Sequence, residues 1–255
     1  MKRLWALAIN TFREAVRDRV LYSILFFAVG VLALSLAIDD ITIGDQAKVV
    51  RSVAQGSVDV FGSIIAMFLG VSVIHKELER KTVYTVLSRP LPRWIFVLGK
   101  YAGLMLTVLV EVTVLVVVYS GFMLIRGDPP DLTLFVSMLM LVVELALLTA
   151  WATLFSAYSA PTTAAAFTLA VFVIGHLADD IWLYGKQADA ESVRSVARAL
   201  YWGLPNFEVF SIREAAVHKD AVPWDRIGPG ILYGFGYTVA VLGGAMAIFQ
   251  RKDVK

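Results

Sequence analysis

The chain has 255 residues, 58% of them hydrophobic and only 17% charged, with a net charge of +2 and no cysteine. A soluble domain carries roughly 45–50% apolar and about 25% charged residues, so this chain could not cover its surface in water. The small net charge disfavours a nucleic-acid partner, and the missing thiols exclude disulfides and cysteine-based metal or redox chemistry.

In chain order, Met1-Lys2-Arg3 has the look of a signal-peptide start. However, the long apolar run that follows begins only at Leu21 and lacks a small-residue cleavage site, so it is expected to be retained. Residues 2–20 read as an amphipathic helix. Ala8, Phe12, Val16 and Val20 recur at i, i+4 with Trp5 and Ile9 beside them, and Lys2, Arg3, Arg13, Arg17 and Arg19 lie around the rest. Such a helix suits the membrane interface; a basic leader that only sets orientation is the alternative.

An apolar stretch of about 20 residues can span a bilayer as a helix. Six qualify: 21–38, 58–74, 94–125, 132–155, 162–177 and 231–249. Only a helix satisfies its own backbone in lipid, and no period-two alternation suggests a barrel. The expected fold is therefore all-α, a polytopic bundle in one transmembrane domain over 1–255. Of the 23 Lys and Arg, fourteen fall in 1–20, 75–100 and 250–255, against Lys48, Arg51 and Arg126 in the short segments 39–57 and 126–131. The excess of basic residues marks the cytoplasmic side, so both termini are expected there.

The segment 178–230 is then external. Val193, Val196, Ala197 and Leu200 share a helical face in 190–200, and 207–217 forms a second amphipathic piece. Leu204-Pro205-Asn206 breaks the chain between them. Two short helices capping the outer mouth are expected, since without disulfides the segment is too small for an independent domain.

Four groups are candidates for chemistry. Glu111 and Glu144 fall near the middles of the third and fourth spans, where a carboxylate costs at least about 2–3 kcal/mol and must face the bundle interior. They could share a proton or flank a polar route, or simply clamp helices together. His176, Asp179 and Asp180 have ligand types and one-turn spacing compatible with a divalent cation, or they mark the water interface. Gly62-x3-Ala66-x3-Gly70 and Gly99-x3-Gly103 are small-residue stripes that permit close helix contact, within a subunit or between two.

The fourth group is the cytoplasmic segment 76–93. Glu77 to Leu87 fits a short charged helix with Leu78, Thr82 and Val86 in register. Arg89-Pro90 ends it, and Trp94 stands at the interface. It is either an ordinary positive loop or a docking element. With Glu77, Arg80, Thr82, Leu87, Pro90, Arg93 and Gly99-Lys100 in this slot, the chain resembles the ABC-2 type permeases. The branch most similar is that of the permease of the nitrous-oxide-reductase maturation system. The resemblance covers nearly the whole chain, including Leu204-Pro205-Asn206 and the terminal Phe249-Gln250-Arg251-Lys252-Asp253. Lys81 departs from it, standing where many members have glycine.

The resemblance implies a non-enzymatic permease subunit, an exporter, in a bacterial inner membrane. Its residues 76–93 would be a coupling helix set in a separate ATPase subunit, with Glu77, Glu79, Arg80, Lys81, Thr82, Arg89, Pro90 and Arg93 at the contact. ATP and magnesium would bind that partner and no cofactor this chain, since Gly99-Lys100 is followed by Tyr101 rather than the Ser or Thr of a phosphate-binding loop. A second permease subunit, identical or similar, would complete the transporter. The alternative reading is an ion- or proton-coupled secondary transporter using Glu111 and Glu144.

Overall fold

Long apolar runs leave the backbone no partner but itself, and the computed structural model is helical over most of the residues it describes, which are 2–37, 46–79 and 92–251. The helices are α1 (Lys2–Val16), α2 (Arg19–Ala37), α3 (Gln46–Glu79), α4 (Arg93–Ile125), α5 (Leu132–Tyr158) and α6 (Pro161–His176). After them come α7 (Ala178–Gln187), α8 (Glu191–Gly203), a 3-10 turn (Glu208–Phe210), α9 (Arg213–His218) and α10 (Trp224–Arg251). Among the described residues there is no strand.

Among the described residues, four helical segments are long and apolar enough to cross a membrane: Lys48–Ser72, Arg93–Ile125, Leu132–Tyr158 and Trp224–Gln250. The pair α6 and α7, bent by 64° at Leu177, makes a fifth if it counts as one span. At the position expected for the first span, α2 contributes a shorter apolar stretch, Leu21–Leu32.

α5 is the centre of the bundle. Leu145, Leu147, Leu148, Ala150 and Ala152 are fully buried along it, and it packs against α3, α4, α6 and α10. The outward faces of α2, α4 and α10 stay apolar, with Phe26, Phe27, Val117, Leu232 and Phe235 more than half exposed. A soluble protein rarely leaves such faces to water.

Local signals explain the ends. Pro161 begins α6, where its missing N–H is one of the unpaired donors. Gly127, at φ 73°, ends α4 in the left-handed region that glycine adopts without strain. The Gly127 and Asp128 amides donate to Leu124 and Met123 carbonyls at 3.0 Å.

Several boundaries differ from those the sequence suggests. The amphipathic helix expected over 2–20 ends at Val16, and α2 starts at Arg19. Its buried residues are Ala8, Thr11 and Ala15, while Trp5 is exposed. The expected loop 39–57 is helical from Gln46, because Arg51 and Gln55 find buried partners in Asp128 and Ser137. α10 begins at Trp224 instead of 231 and carries Pro229 inside it. A proline so near the start removes one backbone bond without ending the helix.

The expected pair of capping helices also changes. α8 forms a hairpin with α7, with Trp182 stacked on Tyr201 at 4.8 Å. The stretch from Leu204 to Val222 covers the bundle, with Phe207, Phe210 and Ile212 in its core and Leu204 and Val222 packed against it.

Candidate functional site

α1, the start of α4 and the end of α10 gather at one end of the bundle, the terminal end, and the connection 126–131 and the stretch 204–218 at the other, the loop end. At the terminal end, α1 lies directly on α4. A Cβ at Gly99 would stand 2.8 Å from Leu7 Cβ, and one at Gly103 only 2.5 Å from the Ala8 carbonyl oxygen and from Thr11 Cβ. The Gly99-x3-Gly103 stripe is thus the seat of α1. Lys100, 2% exposed, pairs with Glu14 of α1 at 3.7 Å. The Gly99-Lys100 dipeptide therefore docks the amino-terminal helix.

Gly62-x3-Ala66-x3-Gly70 likewise packs inside the chain. Gly62 meets Leu145, and Gly70 meets Ala152 and the Thr149 carbonyl, joining α3 to α5. Arg93 Nη1 donates to the carbonyls of Phe249 at 3.3 Å and Gln250 at 2.7 Å. A cation there satisfies the last carbonyls of α10 and the negative end of its dipole. Phe96 stacks on Phe249 at 5.6 Å beside it.

Of the other residues expected at the ATPase contact, Glu77 and Glu79 fall in the last turns of α3. Arg80, Lys81, Thr82, Arg89 and Pro90 lie outside the described residues. At about 1.5 Å per residue, the 34 residues of α3 reach about 50 Å, well beyond a hydrocarbon core of about 30 Å.

At the loop end, α3, α5 and α6 enclose a cavity of about 650 Å³ under the stretch 208–218. Its deep part is made by Ser63, Ser137 and Glu144, all buried, with Asp59 beside them. Its mouth carries Glu208, Glu214 and His218, all exposed. Arg213 reaches across the wall and donates to the Ser52 carbonyl at 2.6 Å and the Ser52 hydroxyl at 3.0 Å. Gly56 leaves it room, since a Cβ there would lie 2.7 Å from the guanidinium. His176 Nε2 stands 3.4 Å from Glu144 Oε1, and His176 Nδ1 donates to the Phe172 carbonyl at 3.0 Å. Burial holds the Glu208 carboxyl above its ordinary value; the His176 charge opposes this, and Asp179, Glu144 and Glu214 add to it.

The cover over this cavity is sewn to α6. The Phe207 amide donates to the Gly175 carbonyl at 3.0 Å, and Asn206 Nδ2 donates to Asp179 at 2.8 Å. The Asn206 amide donates to the Tyr233 hydroxyl at 3.0 Å. A Cβ on Gly175 would collide with the Phe207 ring and come within 2.7 Å of the Pro205 carbonyl. Outside the cavity, Arg51, 4% exposed, binds Asp128 at 2.7 Å, with Asp131 at 3.7 Å. Lys219 of the α9 terminus also pairs with Asp128. The Arg51 hydrogen bond is the largest influence holding the Asp128 carboxyl below its ordinary value.

These placements separate residues the sequence suggests together. Glu144 lines the cavity, but Glu111 does not. Both Glu111 carboxyl oxygens are buried without a hydrogen bond among the described residues. Apolar burial on α4 and a polar cavity on the far side of α5 keep the two carboxylates in different surroundings. His176, Asp179 and Asp180 do not converge either, since His176 turns to Glu144 and Asp179 to Asn206. Among the described residues, no group of three or more His, Asp or Glu is arranged to hold a metal ion. Asp59, Ser63 and Arg213 were not singled out in the sequence. A carboxylate inside the apolar run of α3 was a signal available for Asp59, whereas the role of Arg213 depends on a contact 161 residues away.

Helices of this length with apolar outward faces, around a charged cavity, define a multi-pass membrane protein. A family model described as ABC-2 family transporter protein matches residues 5–254, and the chain belongs to that family. It is thus the permease component of an ATP-binding-cassette transporter. No curated protein matches the chain.

Proposed function

We propose that this chain exports its substrate across a bacterial inner membrane as one of two permease subunits, identical or similar, each coupled to a separate ATPase. Both termini lie in the cytoplasm, and α2 completes a set of six spans. ATP and magnesium bind the ATPase, and this chain carries no catalytic step. The motif residues resemble those of the branch of the nitrous-oxide-reductase maturation permease.

The family match over 5–254 carries this reading. The terminal end supports it: α1, the start of α4 and the end of α10 are clamped together there. At the same end α3 finishes at Glu79 and α4 begins at Arg93. A close-packed platform of this kind lets a push there move α3 and α4 as levers.

The test is to co-purify the chain with any Walker-motif ATPase found encoded next to it and to measure permease-stimulated ATP hydrolysis. Glu77→Ala and Arg80→Ala should each lower the stimulation several-fold while leaving the permease folded. Unchanged stimulation in both variants removes the coupling role. Proton-coupled transport through Glu111 and Glu144 is the competing reading, and only one of its two carboxylates reaches the cavity.

A further inference from the structure

The cavity at the loop end carries more acidic than basic side chains. Its acidic residues are Asp59, Glu144, Glu208 and Glu214, and its basic ones Arg213, His176 and His218. Arg213 is engaged by Ser52, Glu144 faces His176, and His218 Nδ1 donates to the Glu214 carbonyl at 3.0 Å. Asp59 makes no hydrogen bond or ion pair among the described residues; the charges of Glu144, Arg213 and His176 reach it only through space.

One turn further along α3, Ser63 is 1% exposed and lines the same cavity. Its hydroxyl has no hydrogen-bond partner among the described residues. Residues four apart share a helix face, so a carboxylate and an unsatisfied hydroxyl stand side by side. Phe172, Phe210, Leu141 and Ile212 supply apolar and aromatic walls. The volume, about 650 Å³, falls in the range of small-molecule sites.

We propose that this cavity binds a small organic cation: an ammonium group at Asp59 and Ser63, carried on an apolar or aromatic body that rests against Phe172 and Phe210. A carboxylate and a hydroxyl together accept the N–H donors of an ammonium, and aromatic faces attract the cation that a neutral body would not supply. A bare metal ion would leave the apolar walls unused and lacks a converging third ligand. Binding concerns the cavity alone and needs no ATPase, so its failure would leave the coupling reading untouched.

The cysteine-free chain makes the test direct. Ser63→Cys, in the full chain reconstituted in nanodiscs, is labelled with a cationic and an anionic methanethiosulfonate, each rate normalised to that with a free thiol. The cationic reagent should react roughly 10-fold faster or more, as focused potentials in clefts allow. Adding Asp59→Asn should bring the two rates together. Phenethylammonium should protect the thiol saturably, and phenethyl alcohol should not.

Glu144→Gln gives a second reading of the same charge ratio should Asp59→Asn elute as aggregate in gel filtration. Equal rates for the two reagents, an unreactive thiol, or equal protection by the alcohol would each overturn the site. Protection by magnesium alone would overturn it in favour of a metal ion, and no protection by phenethylammonium would leave a water-filled cleft only.

Discussion

The two ends of the bundle differ in how closely their helices approach one another. At the terminal end backbones touch: α1 sits on Gly99 and Gly103, and Phe249 stacks on Phe96. At the loop end the helices stand apart around about 650 Å³ of cavity. Charged contacts tie them there, from Arg51 to Asp128 and from Arg213 to Ser52. Close packing tolerates no added atom, because interiors have few voids and flexible relief is scarce. A polar network tolerates added volume nearby but fails when one partner is removed, since the other is left buried and uncompensated. Close packing thus lies at the end where we propose the ATPase docks, and a polar cavity at the opposite end.

The largest break should come from Gly103→Val. Its Cβ would fall 2.5 Å from the Ala8 carbonyl and from Thr11, forcing α1 off α4 at a cost of about 3 kcal/mol. Thermal unfolding of the purified protein, followed by gel filtration, measures it; a variant as stable as the parent would remove the idea of a close-packed terminal end.

Arg51→Ala should cost less, about 2 kcal/mol, because Asp128 keeps Lys219 and is one quarter exposed. Removing Asp128 as well should recover part of the loss. A double variant that is additive would mean the pair is not a network.

Acid should act through the same pair and more weakly. Asp128 has a folded value below its ordinary one. It therefore contributes stability that is complete above the unfolded value and is lost as pH falls through the folded one. Melting temperature should decline on acidification, and less steeply in Asp128→Asn; identical slopes would detach this carboxylate from the stability of the loop end.

The smallest effect belongs to Gly121→Ala. A Cβ there meets nothing within 4 Å, so the variant should gain about 0.5–1 kcal/mol from reduced backbone freedom. A loss of that size would instead mean that this face of α4 meets a partner.

Much was legible before any coordinates. Apolar runs reported long helices, since lipid-facing composition and backbone self-satisfaction are local properties of a segment. Between Ile125 and Leu132 the chain leaves the helix at Gly127, Asp128 and two prolines, residues with strong turn chemistry. Where helices gained residues, a distant partner was responsible. Arg51 and Gln55 look like loop residues until Asp128 and Ser137 bury them.

The candidate site was less legible, for the same reason. Glu144 was visible as a carboxylate in an apolar run, and it does face a polar cavity. Its partner proved to be His176 and not Glu111, because helix rotation in the packed bundle decides which face a side chain takes. The sequence alone determined that this chain lives in a membrane and belongs among transport permeases, through composition and a motif read along the chain. Only the tertiary structure decided that Gly99-Lys100 seats α1, that Arg93 caps α10, and that Asp59, Ser63 and Glu144 meet in one cavity. Those are relations between segments far apart in the chain, and they are set by packing that no single stretch contains.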